Sequence, residues 1–173
     1  FGQNCAACHG PEAGGQVGQF PALVDDDWIW GGSLNDIVTT IRHGIRSADG
    51  ETRQGMMPSF AETLSAQQVT DVVAFVRRLS EPDAATTRDA MPGAAVFAEN
   101  CASCHGAGGE GGRGVGAPRL NDRIWLYGGS VAAIRAQILH PRMGVMPAWQ
   151  GRLDPETINM LAVYVHSLGG GEP

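Results

Sequence analysis

Lysine is absent: the twelve basic residues of this 173-residue chain are all arginine. A Walker-type GxxxxGK[ST] phosphate loop is therefore excluded. Basic charge is short in general. Eighteen acidic residues give a formal net charge of −6, whereas nucleic-acid binding needs a basic stripe. Long apolar runs are missing too; stretches such as Val72-Val73-Ala74-Phe75-Val76 stop far below the roughly 20 residues of a membrane span. Aromatics make up 6% of the chain against a hydrophobic content of 43%. Two domains of roughly 80 residues with so few bulky side chains sit near the size where a core needs a metal or cofactor to complete it.

No cysteine is spare. All four fall in two copies of Cys-x-x-Cys-His, Cys5-Ala6-Ala7-Cys8-His9 and Cys101-Ala102-Ser103-Cys104-His105. This is the attachment pattern of c-type haem: two thioethers from one helical turn, with the adjacent histidine as proximal iron ligand. The competing readings are weaker. A thioredoxin-like pair expects a preceding strand, and neither copy has one. A four-cysteine zinc site would join pairs separated by 92 residues, where zinc knuckles lie much closer. Disulfides Cys5–Cys8 and Cys101–Cys104 would each close a tiny loop of little stabilising value. Two haem c groups are expected, bound through Cys5, Cys8, Cys101 and Cys104.

The chain repeats itself. Phe1-Gly2-Gln3-Asn4-Cys5 aligns with Phe97-Ala98-Glu99-Asn100-Cys101 at an offset of 96, and Trp28-Ile29-Trp30-Gly31-Gly32-Ser33 with Trp125-Leu126-Tyr127-Gly128-Gly129-Ser130 at 97. Pro21 aligns with Pro118, and Met57-Pro58 with Met146-Pro147 at 89. The first half thus carries about eight extra residues, around Ser47–Gln54 near Asp49. The expected organisation is a first domain over 1–80 with a truncated N-terminal helix, a linker over 81–90, and a second domain over 91–173.

Helical signals dominate each half. Ser33 with Asp36 reads as a capping box before Leu34, Ile37, Val38 and Ile41; Ser65 with Gln68 opens Val69, Val72, Val73, Val76 and Leu79. Pro92 suits a first turn leading into Cys101. Ser130 opens a helix through Ile134 and Ile138, and Asp154-Pro155 opens the last, stopped by Gly169. Nothing alternates long enough to be a strand, so the expected fold is all-α, built twice around a haem. Gly106–Gly111 formally matches GxGxxG, but a haem motif precedes it in place of a strand. Those glycines either let backbone pass close to the haem edge or form a plain surface loop.

A haem with two protein ligands suits electron transfer. Of six methionines, only Met57 and Met146 match across the repeat with a following proline, which holds the methionine backbone extended. They are the expected sixth ligands, opposite His9 and His105; core filling is the alternative. His43 and His140 also match and compete, each at a helix end where a histidine commonly meets the dipole; a structural or propionate-contacting role is expected of them. Pro21 and Pro118 are expected to accept the proximal His Nδ1–H through their carbonyls. Trp28 and Trp125 are candidates to donate to haem propionates, with core packing as the alternative.

The combination of CAACHG, CASCHG, DDDWIWGGS, TTIRHGIR, MMPSF, WLYGGS and VMPAW resembles the dihaem subunit of cbb(3)-type cytochrome c oxidases (CcoP/FixP), over residues 1 to about 168. The resemblance implies two class I cytochrome c domains, ligated by His9 with Met57 and by His105 with Met146. It implies an electron-transfer subunit, not an enzyme on its own, partnered by the catalytic and monohaem cytochrome subunits of a terminal oxidase and fed by a cytochrome c or a quinol-oxidising complex. It also implies anchoring at the periplasmic side of a bacterial inner membrane by a segment preceding Phe1. The rivals are a free soluble dihaem shuttle and a dihaem peroxidase with His43 or His140 as the switchable ligand. Residues 1–81 carry ten acids against five arginines and 88–173 seven of each, so the first half would steer a basic partner, unless that surplus is simply a solvated face.

Overall fold

The computed structural model describes residues 1–81 and 88–172. Seven α-helices are present among them: α1 (Ala6–His9), α2 (Leu34–His43), α3 (Ala66–Leu79), α4 (Pro92–Asn100), α5 (Ala102–His105), α6 (Val131–Leu139) and α7 (Pro155–Ser167). Isolated bridges such as Gln16 with Phe20 replace any sheet among the described residues, and the protein is all-α. Most of the expected linker, 82–87, lies outside the described residues.

The caps explain the helix starts. Ser65 and Gln68 form a full reciprocal box on α3. Ser130 accepts from Ala133 N, and Asp154 from Thr157 N. At α2 the box is only half made: Asp36 N donates to Ser33 Oγ at 3.2 Å, but the Asp36 carboxylate instead accepts from the Ser33 hydroxyl at 2.7 Å and pairs with Arg53 at 3.3 Å. A carboxylate drawn to a guanidinium is not free to cap.

The compact units are not the sequence halves. Unit 1 comprises Phe1–Gly55 and Met143–Pro173, and unit 2 comprises Met56–Arg142. In unit 1, α7 packs on α2, around Ile37, Ile41, Ile158, Leu161, Ala162 and Val165. In unit 2, α3 packs on α4 and α6, around Val69, Val72, Phe75, Val76, Phe97 and Ile134. The units cut across the expected boundaries at 80 and 91: each half's methionine loop and last helix falls in the unit that holds the other half's motif. Helix α3 meets α4, its next neighbour along the chain, across a short connection that costs little closure entropy, whereas α7 returns to α2 across the whole of unit 2 in sequence.

The exchange is reciprocal in detail. Phe97 lies against Phe75 with ring centroids 5.1 Å apart in unit 2; at the repeat-equivalent positions Phe1 lies against Tyr164 at 5.2 Å in unit 1. Phe1 O accepts from Cys5 N at 2.8 Å, as Phe97 O does from Cys101 N at 2.8 Å. At Gly93 the crossing of α3 and α4 brings backbone to backbone, and an added Cβ would press into the Asp71 carbonyl.

Candidate haem sites

Each motif forms one helical turn. His9 N donates to Cys5 O and His105 N to Cys101 O, both at 2.9 Å. The turn stops at Gly10 (φ 81°) and Gly106 (φ 80°), a left-handed region that glycine enters freely. The loop then folds back, with Gly15 N donating to His9 O at 2.8 Å and Gly111 N to His105 O at 2.7 Å. Gly15 has φ +72°, and a Cβ there would come within 2.6 Å of the Pro21 carbonyl carbon. These glycines serve close approach of backbone to backbone within the loop itself.

That approach brings the proline carbonyl to the histidine. His9 Nδ1 lies 3.0 Å from Pro21 O, and His105 Nδ1 lies 2.9 Å from Pro118 O. A carbonyl can only accept, so Nδ1 carries the proton and Nε2 keeps its lone pair for a metal. Burial pushes the His105 pKa down, opposed by its bond to Pro118; a neutral ring is the ligating form. Burial also raises the Cys101 thiol to about 11, assisted by Cys104, and burial raises the Cys5 thiol as well. Redox-active and zinc-binding cysteines have lowered values; these two do not.

The methionines fall crosswise. Met146 packs on the core that holds Cys5 and Trp28, and Met57 on the core that holds Cys101 and Trp125. Backbone bonds fix both loops. In unit 1, Ile45 and Met146 exchange two bonds of 3.0 Å, and Trp149 N donates to Ile41 O at 3.1 Å. In unit 2, the equivalent Phe60 N donates to Ile138 O at 3.1 Å, and Ser59 Oγ to Leu139 O at 2.6 Å. Met146 thus shares a core with Cys5, and Met57 with Cys101, crosswise to the expected pairing of His9 with Met57 and of His105 with Met146. Met56 and Met143 are exposed.

The remaining candidates separate. The Trp28 indole Nε1–H donates to Gly170 O at 2.6 Å, and its ring packs on the unit 1 core, the alternative to propionate donation. Gly32 allows this, since a Cβ there would lie 2.6 Å from the Trp28 ring, and Gly129 stands likewise at 2.9 Å from the Trp125 ring. Trp125 packs against the unit 2 core. His43 is turned into the extra loop, with Asp49 at 3.0 Å and Glu51 at 3.4 Å, a contact the motif pattern did not signal. His140 is exposed at the end of α6. His166 lies 2.8 Å from Glu172 O through Nε2.

Two thiols and an Nε2-free imidazole on one turn, with a thioether in the same core, fit a haem c group in each unit. Among the described residues no cluster of three His, Cys, Asp or Glu could hold a free metal ion. No helix among them is long and apolar enough to cross a membrane.

Comparison with known proteins agrees. Residues 1–80 match the cytochrome c family, and residues 88–165 match the family described as cytochrome c oxidase, cbb3-type, subunit III. The chain is 52% identical over 174 residues to a cbb3-type cytochrome c oxidase subunit FixP of a Bradyrhizobium species, covering 99% of this chain and 60% of the relative. It is 52% identical over 172 residues to FixP of Azorhizobium caulinodans (99% and 58%), and 49% identical over 177 residues to subunit CcoP of Cereibacter sphaeroides (99% and 60%). The chain thus spans about three-fifths of the length of these relatives. With both cytochrome c domains present, two haem c groups implied and near-full alignment of the chain, this protein belongs to the dihaem FixP/CcoP family.

Proposed function

We propose that this chain relays single electrons through two haem c groups, each held by a histidine from one sequence half and a methionine from the other: His9 with Met146, and His105 with Met57. The observation that carries this is the placing of each methionine in the core of the opposite half's motif, with each histidine presenting a free Nε2. Haem c supplies reversible one-electron iron chemistry, and histidine with methionine is a six-coordinate electron-transfer choice that raises the potential. The chain's own residues bind, orient and shield: four cysteines anchor, Pro21 and Pro118 set the imidazole planes, and the two methionine loops close the sites.

Similarity to FixP and CcoP supports the direction of flow. Electrons enter from a cytochrome c or a quinol-oxidising complex and leave to the catalytic and monohaem subunits of a cbb3-type oxidase, at the periplasmic face of a bacterial inner membrane, with an anchor preceding Phe1. No covalent chemistry is assigned to this chain. A peroxidase would need His43 or His140 as a switchable ligand, and neither is placed for it: His43 faces carboxylates and His140 faces solvent.

The test uses a single-haem background. With Cys5→Ser and Cys8→Ser removing the first haem, Met57→Ala should abolish the methionine–ferric iron charge-transfer band and admit carbon monoxide, while Met146→Ala should leave both unchanged. The reverse pattern restores the uncrossed pairing, and six-coordination surviving both substitutions removes methionine ligation altogether.

A further inference from the structure

Arg46 has a backbone that its residue type seldom adopts. Its φ is 51°, in the left-handed region, where a Cβ is crowded and a non-glycine residue persists only when its surroundings hold it there. Arg46 N donates to Arg53 O at 2.9 Å. Its guanidinium donates from Nε to Gly144 O at 2.7 Å and from Nη1 to Gly55 O at 2.8 Å. A planar, always-charged group with several N–H donors can serve two acceptors at once, and bonds from a charged donor are roughly twice as strong as neutral ones.

The two acceptors are equivalent in the repeat. Gly55 and Gly144 are 89 residues apart, the offset that aligns Met57 with Met146. Each carbonyl therefore lies two residues ahead of a candidate iron ligand, at the same place in its methionine loop. Both carbonyls belong to unit 1. Gly55 ends its first stretch, just before the chain passes into unit 2 with Met56 and Met57, and Gly144 follows the chain's return. At the offset that aligns His43 with His140, Arg46 falls on Met143, so the repeat supplies no second guanidinium at this place.

The backbone behind Arg46 is braced from both sides. Ile45 bridges to Met146 on one side and to Arg53 on the other, and Arg53 N donates to Gly44 O at 3.2 Å. The extra loop of the first half presents Arg53 for this. Within it, Ser47 N donates to the Thr52 hydroxyl oxygen at 3.0 Å, and Thr52 is buried. The insertion thus gains a role: it holds the turn from which the Arg46 side chain reaches both glycine carbonyls.

We infer that Arg46 is a positioning residue shared by the two methionine loops, fixing the approach to Met57 and to Met146 from one guanidinium. It acts through backbone carbonyls, so its removal loosens both axial ligands together. The inference rests on methionine ligation in the relay reading and is indifferent to which histidine faces which methionine.

The test uses the reduced dihaem holoprotein. An iron-bound methionine gives a methyl proton NMR signal strongly shifted by the haem ring current, so two ligands give two signals. Carbon monoxide erases each signal as it displaces that methionine, which yields one apparent affinity per haem. Arg46→Gln should strengthen carbon monoxide binding roughly tenfold at both haems, the scale of one lost charge-assisted hydrogen bond in each loop. Arg46→Gly, which suits the left-handed backbone, should do the same and decides the matter if the glutamine variant fails to fold. Arg53→Gln removes the same charge from a guanidinium that pairs with Asp36, and should leave both affinities at the wild-type value. A response at only one haem, no response at either, or an equal response to Arg53→Gln overturns the shared role while methionine ligation stands. A wild-type holoprotein with fewer than two such signals overturns methionine ligation at a haem, and this inference with it.

Discussion

The imidazoles of His9 and His105 are steered from behind by proline carbonyls, and those carbonyls are steered in turn by glycine. Gly15→Ala would introduce a Cβ at φ +72° against the Pro21 carbonyl carbon. Strain and overpacking together should cost about 1–3 kcal/mol. They should also shift the potential of the haem at Cys5 and Cys8 while sparing the other, as redox titration of each haem would read. Asp49 supplies a pH-dependent contact. Its carboxyl is held below the ordinary range, first by the Glu51 N–H and then by His43. A lowered folded value stabilises above the unfolded value of about 3.9 and is lost as pH falls through the folded one. Asp49→Asn should therefore be less stable than wild type near neutrality, and the gap should close as pH drops below about 4, as denaturant midpoints at several pH values would register. Pro21 and Pro118 were legible as acceptors because the repeat aligns them and sets them 12 and 13 residues after their histidines. The donor bond of Trp28 was not, because Gly170 lies far away in sequence and no pattern links them.

Among the helices, the caps at Ser65, Ser130 and Asp154 were legible because capping is local chemistry. The partner of each helix was not. An offset of 89 places Met57 over Met146 and Leu79 over Leu168 whichever motif each one serves, so the repeat pattern is satisfied equally by crossed and uncrossed packing. Two substitutions discriminate between them. Ser65→Ala removes the box on α3 and should cost about 1 kcal/mol. The loss should appear in the unit with the second motif, as earlier melting of the charge-transfer band of the haem at Cys101 and Cys104. Gly93→Ala forces α4 off the Asp71 carbonyl and should cost roughly 1–3 kcal/mol in the same unit. If α3 served the first motif instead, Ser65→Ala would weaken the other haem site.

For the molecule as a whole, the crossed packing makes the sequence halves poor folding units. A fragment of residues 91–173 lacks α3, which supplies most of the buried side chains of unit 2, so it should attach haem weakly and unfold without cooperativity. A fragment of residues 56–142 contains that unit entire and should fold as a single-haem protein, with a cooperative transition by circular dichroism and with Met57 on the iron. Equal folding by both fragments would contradict the exchange. Composition had already pointed to cofactor-completed cores, and the cysteine pattern to two of them. Only contacts between distant segments reveal which stretch closes which core.

One unit is an unbroken stretch enclosed within the other, whose two pieces stand on either side of it. On a chain made from its amino end, the order of completion therefore runs against the order of the motifs. Cys5, Cys8 and His9 emerge first, yet the core that Cys5 joins lacks Met146 and α7 until they follow, while Cys101 emerges after Met57 and α3, which share its core. On the proposed pairing, the first haem site to emerge is thus the last to be finished, and it stays open for longest.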